Sequence, residues 1–215
     1  MDRTGLLRDI EVCNQMIQDH EKDIPSHAGK LEPIQVQLQL YENTEREKLI
    51  EYLQSADFQR VIKQWEKYLD SACKLGPQLE RSNTPIRLLA SEAIGFRYLK
   101  VMKQARKTLN NKNDITRIHI LRKSGKKLRY LVDLFSDLYS AKATKKVIKD
   151  LKKFQDCLGE MQDSEVQVHL ISQLSGPVRD DLTKENLEVI EKIIRKRNKQ
   201  KKHCHKKAIK LIKEY

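Results

Sequence analysis

Apolar residues recur every three to four positions along almost the whole chain, and turn-forming residues interrupt them at short intervals. The pattern predicts eight helices. The first runs from Leu6 to Asp23, with breakers in SHAGKLEP (Ser26 to Pro33) after it; the second covers Ile34 to Leu53. Ser55 is placed to cap the third, FQRVIKQWEKYLDSACKL, whose Phe58, Val61, Ile62, Trp65, Tyr68 and Leu69 form a stripe read as core. After the loop GPQLERSNT, Pro85 opens a fourth helix ending near Leu109. A fifth is expected from Ile115 to Tyr139, a sixth from Lys142 to Leu158 with Gly159 as its stop, a short seventh from Asp163 to Leu174, and a last from Thr183 onward.

Composition agrees with an all-α fold: 7 Gly and 5 Pro in 215 residues, 34% charged, and no Val/Ile/Thr-rich alternation that would signal a sheet. The short connections suggest two helical subdomains, residues 1–110 and 111–215. The formal charge of +13 is unevenly spread. Residues 1–110 hold 17 Lys+Arg and 16 Asp+Glu, while residues 111–215 hold 26 and 14, so the second part carries +12 and calls for an anionic partner. Cys13, Cys73, Cys157 and Cys204 are far apart, with no CxxC pair and no apolar leader, which reads as reduced thiols in a soluble cytoplasmic protein. No apolar run approaches the ~20 residues of a membrane span.

The densest charge lies in RIHILRKSGKKLRY, residues 117–130, with six Lys or Arg and one His in fourteen positions. On a helix its residues separate cleanly. Ile118, Ile120, Leu121, Gly125, Leu128, Leu131, Val132, Phe135 and Tyr139 fall on one side, and His119, Arg122, Lys123, Lys126, Lys127, Arg129 and Tyr130 on the other. No Asp or Glu occurs from Arg117 to Tyr130, so the i,i+4 pairs that relieve like charges on ordinary helices are missing. His119, Arg122, Lys126 and Arg129 form a row roughly 15 Å long at 1.5 Å per residue, which suits a ligand with repeated negative charge. A weaker signal is the frame shared by TGLLRDIEV (Thr4 to Val12) and LGEMQDSEV (Leu158 to Val166), which suggests a duplicated helix-joint unit with Asp163 and Glu165 at a helix start.

The motif H-x-x-R-x-x-x-K-x-x-R-Y, here His119 to Tyr130, resembles the CHAD family, the conserved histidine α-helical domain. LKKFQDCLGEMQDSEV (Leu151 to Val166), SADFQRVIKQWEKYL (Ser55 to Leu69) and LLRDIEV (Leu6 to Val12) are similar to its other signatures, so that the likeness spans most of residues 5–174. The resemblance implies two pseudo-symmetric helical bundles around a central basic channel. It also implies non-catalytic binding of inorganic polyphosphate in the cytoplasm or at polyphosphate granules, with His119, Arg122, Lys126 and Arg129 lining the channel. The family's first basic helix has no counterpart here, so the first bundle is expected to be incomplete and a second copy or another chain to complete the channel.

Around this row, Lys123, Tyr130, Arg97, Arg106, Lys149 and Lys153 are candidate additions, the arginines because guanidinium forks onto paired phosphate oxygens. No catalytic group, cofactor or metal is expected. There is no Gly-rich phosphate loop and no nucleophile beside a base at motif spacing, and His203, Cys204 and His205 alternate sides of a helix. Two other functions fit the charge. The basic tail from Arg195 to Lys213 would serve nucleic-acid binding, although α-helical Asn/Gln base readers are missing from the motif, and the basic face would serve a scaffold docking an acidic or triphosphate-processing protein.

Overall fold

The computed structural model describes residues 3–75, 81–111 and 114–213. Among them are seven α-helices, short 3-10 turns and no strand: α1 (Arg3–Asp23), α2 (Glu32–Gln54), α3 (Ala56–Leu75), α4 (Ile86–Asn110), α5 (Ile115–Leu134), α6 (Ala141–Ser175) and α7 (Lys184–Lys213). The helical fold class holds. Residues 76–80 of the expected GPQLERSNT loop and residues 112–113 of the next lie outside the described set.

Three expectations change. The sixth and seventh helices are one, because Gly159 lacks a left-handed φ and helix formers flank it without a proline; a single glycine lowers helix stability but does not end a helix. Asp163 and Glu165 are therefore mid-helix residues, and the joint proposed for LGEMQDSEV does not exist. The fifth helix stops early, at Leu134, where a 3-10 turn over Ser136–Leu138 follows; Tyr139 then bonds the Ser91 hydroxyl at 2.9 Å. The third correction concerns α3. Its apolar stripe is exposed, Trp65 by 58% and Tyr68 by 59%, with Val61, Ile62 and Leu69 also open, because amphipathic spacing tells which side is greasy and not whether anything covers it.

Contacts divide the chain into two units, residues 1–83 with 165–198, and residues 84–164 with 199–215, rather than at one point near residue 110. The reason is that α6 and α7 each give one end to each unit. In the first unit Ile10, Cys13 and Ile17 of α1 pack with Ile34 and Leu38 of α2, Leu170 and Ile171 of α6, and Val189, Ile190 and Ile193 of α7. Thr183 and Asn186 cap α7 reciprocally: the Asn186 amide N–H donates to Thr183 Oγ1 at 3.2 Å and the Thr183 N–H donates to Asn186 Oδ1 at 2.8 Å. In the second unit Ile118, Leu121, Leu128 and Val132 of α5 pack with Phe154, Cys157, Leu158 and Met161 of α6, Val101 of α4, and Cys204, Ala208 and Ile209 of α7.

This division sharpens the charge asymmetry. The first unit holds 17 Lys+Arg against 21 Asp+Glu, net −4; the second holds the remaining 26 against 9, net +17.

Candidate anion-binding site

The site is built on α5 and α6 of the second unit. Asp114 caps α5: its carboxylate accepts from the Arg117 backbone N–H at 3.1 Å and pairs with Arg117 Nε at 2.8 Å. The backbone N–H first, and the guanidinium with it, hold the Asp114 carboxyl below its usual range. Arg117 is thus spent on the cap and on the Lys107 carbonyl, 3.3 Å from its Nη1, so it stands apart from the basic row.

Four buried side chains, Ile118, Leu121, Leu128 and Val132, fix the rotation of α5 about its axis. Gly125 is buried against α6, where a Cβ would meet the Phe154 ring at 3.6 Å, an ordinary van der Waals contact. With the greasy face so anchored, the charged face is turned along α6. His119 Nδ1 lies 2.7 Å from Gln162 Oε1, an interaction that orients the imidazole. Arg122 and Lys126 line a hollow of about 370 Å³ together with Gln155, Asp156, Gly159, Glu160 and Asp163 of α6. One turn further on, Lys126 Nζ and Arg129 Cζ stand 5.7 Å and 4.9 Å from the centre of the Tyr130 ring, whose face attracts both cations. Arg129 is half-buried, and its Nε is enclosed without an acceptor.

The acid-free face of α5 therefore has acids opposite it. Asp156, Glu160 and Asp163 stand at i, i+4 and i+7, one face of an uninterrupted α6. That spacing was visible in the sequence, but a helix stop at Gly159 assigns Asp163 to a different element and hides it. Glu160 also accepts from Cys204 Sγ at 3.1 Å and Gln200 Nε2 at 3.3 Å. Burial first, and then this carboxylate, push the Cys204 thiol up to about 12, leaving it protonated.

Of the other candidates, Lys153 and Lys149 are exposed and share the α6 face of Asp156, Glu160 and Asp163, one and two turns nearer its N-terminus than Asp156. The carboxylates thus lie along the His119–Arg122 end of the row and the lysines toward the Tyr130 end. Lys123 is exposed beside the row. Arg97, half-buried, and Arg106, exposed, belong to α4; Arg106 borders a separate hollow with Lys103 and Lys107, away from Arg122 and Lys126. Cys204 is buried while His203 is exposed. Among the described residues no group of three or more His, Cys, Asp or Glu is arranged to hold a metal ion, and no helix is long and apolar enough to cross a membrane.

Fold and site together define an all-helical bundle protein with a strongly basic helix, α5, packed along α6. The sequence model of the CHAD domain matches residues 1–172, and the chain belongs to that family. No curated protein matches it.

Proposed function

We propose that this protein binds inorganic polyphosphate without chemically altering it. The observation that carries the reading is the row His119, Arg122, Lys126 and Arg129 on one face of α5, within a unit of net charge +17 in a CHAD-family chain. Its cations stand one helical turn apart, about 5 Å, so a linear anion can meet several without bending. Arg122 and Arg129 fork onto phosphate oxygens, while Lys126 and Lys123 act as point charges. Tyr130 keeps the heads of Lys126 and Arg129 near one another. Lys149 and Lys153 extend the positive field across α6, and Arg97 and Arg106 add to it from α4. His119, with Nδ1 against Gln162 Oε1, has Nε2 left for a phosphate oxygen. The same charge would hold a nucleic acid, and the basic α7 favours that second reading.

The test is a titration of long-chain polyphosphate into the parent protein and an Arg122→Ala/Arg129→Ala variant at fixed salt. A weakening of about a hundredfold is expected for two charge-assisted contacts at roughly 1.5 kcal/mol each. Equal affinity removes the row from the site. RNA displacing polyphosphate at equal phosphate concentration selects the second reading.

A further inference from the structure

The C-terminal part of α7 lies outside the match to the family, which ends at residue 172, and the polyphosphate row makes no use of it. Within the second unit it runs from Lys199 to Lys213. Cys204, Ala208, Ile209 and Ile212 enter the core, and the other side carries Lys199, Lys202, Lys206, Lys207, Lys210 and Lys213, all exposed, with exposed His203 among them. At about 100° and 1.5 Å per residue these positions cover an arc of about 140° over roughly 21 Å. No Asp or Glu occurs between Glu191 and Glu214. The neighbouring helix does not answer the charge either. Glu160, the α6 carboxylate that meets α7, accepts from Gln200 Nε2 and Cys204 Sγ, and among the described residues none of the six lysines has a carboxylate partner. In this α7 differs from α5, whose Arg122 and Lys126 face Asp156, Glu160 and Asp163.

We propose that this face of α7 is a second anion site, separate from the α5 row, and that it takes the phosphate backbone of duplex DNA without regard to sequence. The residue types select the ligand. Lysine without arginine supplies point charges and no forks, which suits phosphates spread over a surface. Gln200, the one Asn or Gln in the stretch, is bonded to Glu160, so no amide is left to read a base edge. No aromatic residue occurs from Lys199 to Lys213, so single-stranded bases have nothing to stack on. The apolar side of the helix is buried in the core, and none of it is left to enter a bilayer. The width of the arc separates a flat anionic surface from a grooved one. A plane meets its crest, Lys199, Lys206 and Lys210, and leaves Lys202 and Lys207 on opposite flanks. The major groove of B-form DNA, about 12 Å wide, admits one helix and sets a phosphate strand along each flank. The A-form groove is too narrow for this. A length of roughly 21 Å follows about six base pairs at 3.4 Å each. The site is independent of what α5 binds.

A fluorescein-labelled DNA duplex of about 20 base pairs is titrated with the full chain at several salt concentrations, and binding is followed by anisotropy. Six phosphate contacts give a slope of log affinity against log salt of about −5, the same for a second duplex of unrelated sequence. In Lys202→Gln/Lys206→Gln/Lys210→Gln three contacts go, so the slope is expected to halve and affinity at 0.1 M salt to fall by more than about a hundredfold. Helical circular dichroism stays as in the parent, because all three side chains are exposed. Lys202→Arg/Lys206→Arg/Lys210→Arg keeps the charge and the affinity. Arg122→Ala/Arg129→Ala, which tests the polyphosphate row, leaves duplex binding within about twofold, so the two sites stand or fall separately. Duplex affinity unchanged by the three glutamines overturns the proposal. So does its loss through Arg122→Ala/Arg129→Ala, and so does equal competition at matched phosphate concentration by single-stranded DNA of the same length or by phosphatidylserine vesicles.

Discussion

Replacing Gly159 by Ala isolates the step at which the sequence pattern and the fold part company. In the structure Gly159 is an interior residue of α6, its φ is not left-handed, and a Cβ built on it meets no heavy atom within 4 Å. The substitution then brings neither clash nor new packing, and what remains is backbone propensity. Alanine is favoured over glycine in a helix interior by about 1 kcal/mol, which for a chain of this size raises Tm by about 2–4 °C. Thermal denaturation followed by circular dichroism at the helical band measures it. Were Gly159 instead the left-handed residue that ends a helix, Ala there would cost about 1–2 kcal/mol and Tm would fall. A lower Tm thus refutes the continuous α6 and, with it, the alignment of Asp156, Glu160 and Asp163 opposite Arg122. The same variant should bind polyphosphate as the parent does, because a methyl group leaves most of the 370 Å³ hollow open.

Neutralising the opposing acids, as Asp156→Asn with Asp163→Asn, should tighten polyphosphate binding several-fold, since each removes a like charge worth about 0.5 kcal/mol near the ligand after solvent screening; weaker binding in an isothermal titration would mean that these carboxylates hold the basic row in place instead. Stability should also depend on pH through His20, which is 4% exposed, has its Nε2 2.9 Å from His27 Nδ1, and has no partner for Nδ1. Burial first, then the positive fields of His27, Lys196 and Arg197, outweigh Asp23 and lower its pKa below 6.5. The unfolded chain therefore takes up the proton first, and stability present above pH 6.5 declines as the pH falls toward the folded-state value. Tm should drop between pH 7.5 and pH 5, and the drop should shrink in His20→Gln; an unchanged slope would show that other groups set it.

Why some of this was legible and some not follows from the range of the forces involved. The two sides of α5 could be sorted largely from spacing, and Ile118, Leu121, Leu128 and Val132 are buried, because helical periodicity is local; Ile120, placed on the same side, is nevertheless 44% exposed, since nothing in the spacing says how far the covering surface reaches. The motif from His119 to Tyr130 likewise pointed to the family to which the chain belongs. Spacing failed where the outcome depended on a second element. The α3 stripe is as regular as that of α5, yet it lies open, since a periodic pattern contains no information about the surface across from it. The absence of acids within residues 117–130 was true of α5 and misleading about the site, whose carboxylates come from α6 some forty residues later.

What the amino-acid order determined by itself is the helical class, the sidedness of each helix and a strong excess of positive charge late in the chain, all properties of near neighbours and of sums. Tertiary structure decided the rest. It ran α6 unbroken through Gly159, because continuous packing on both sides outweighs the small backbone cost of one glycine. It collected +17 in one unit by drawing the α7 tail into the same core as α5. And it set Arg122 and Lys126 against Asp156, Glu160 and Asp163, a pairing across helices that Coulomb's law weighs by distance in space and not by distance along the chain.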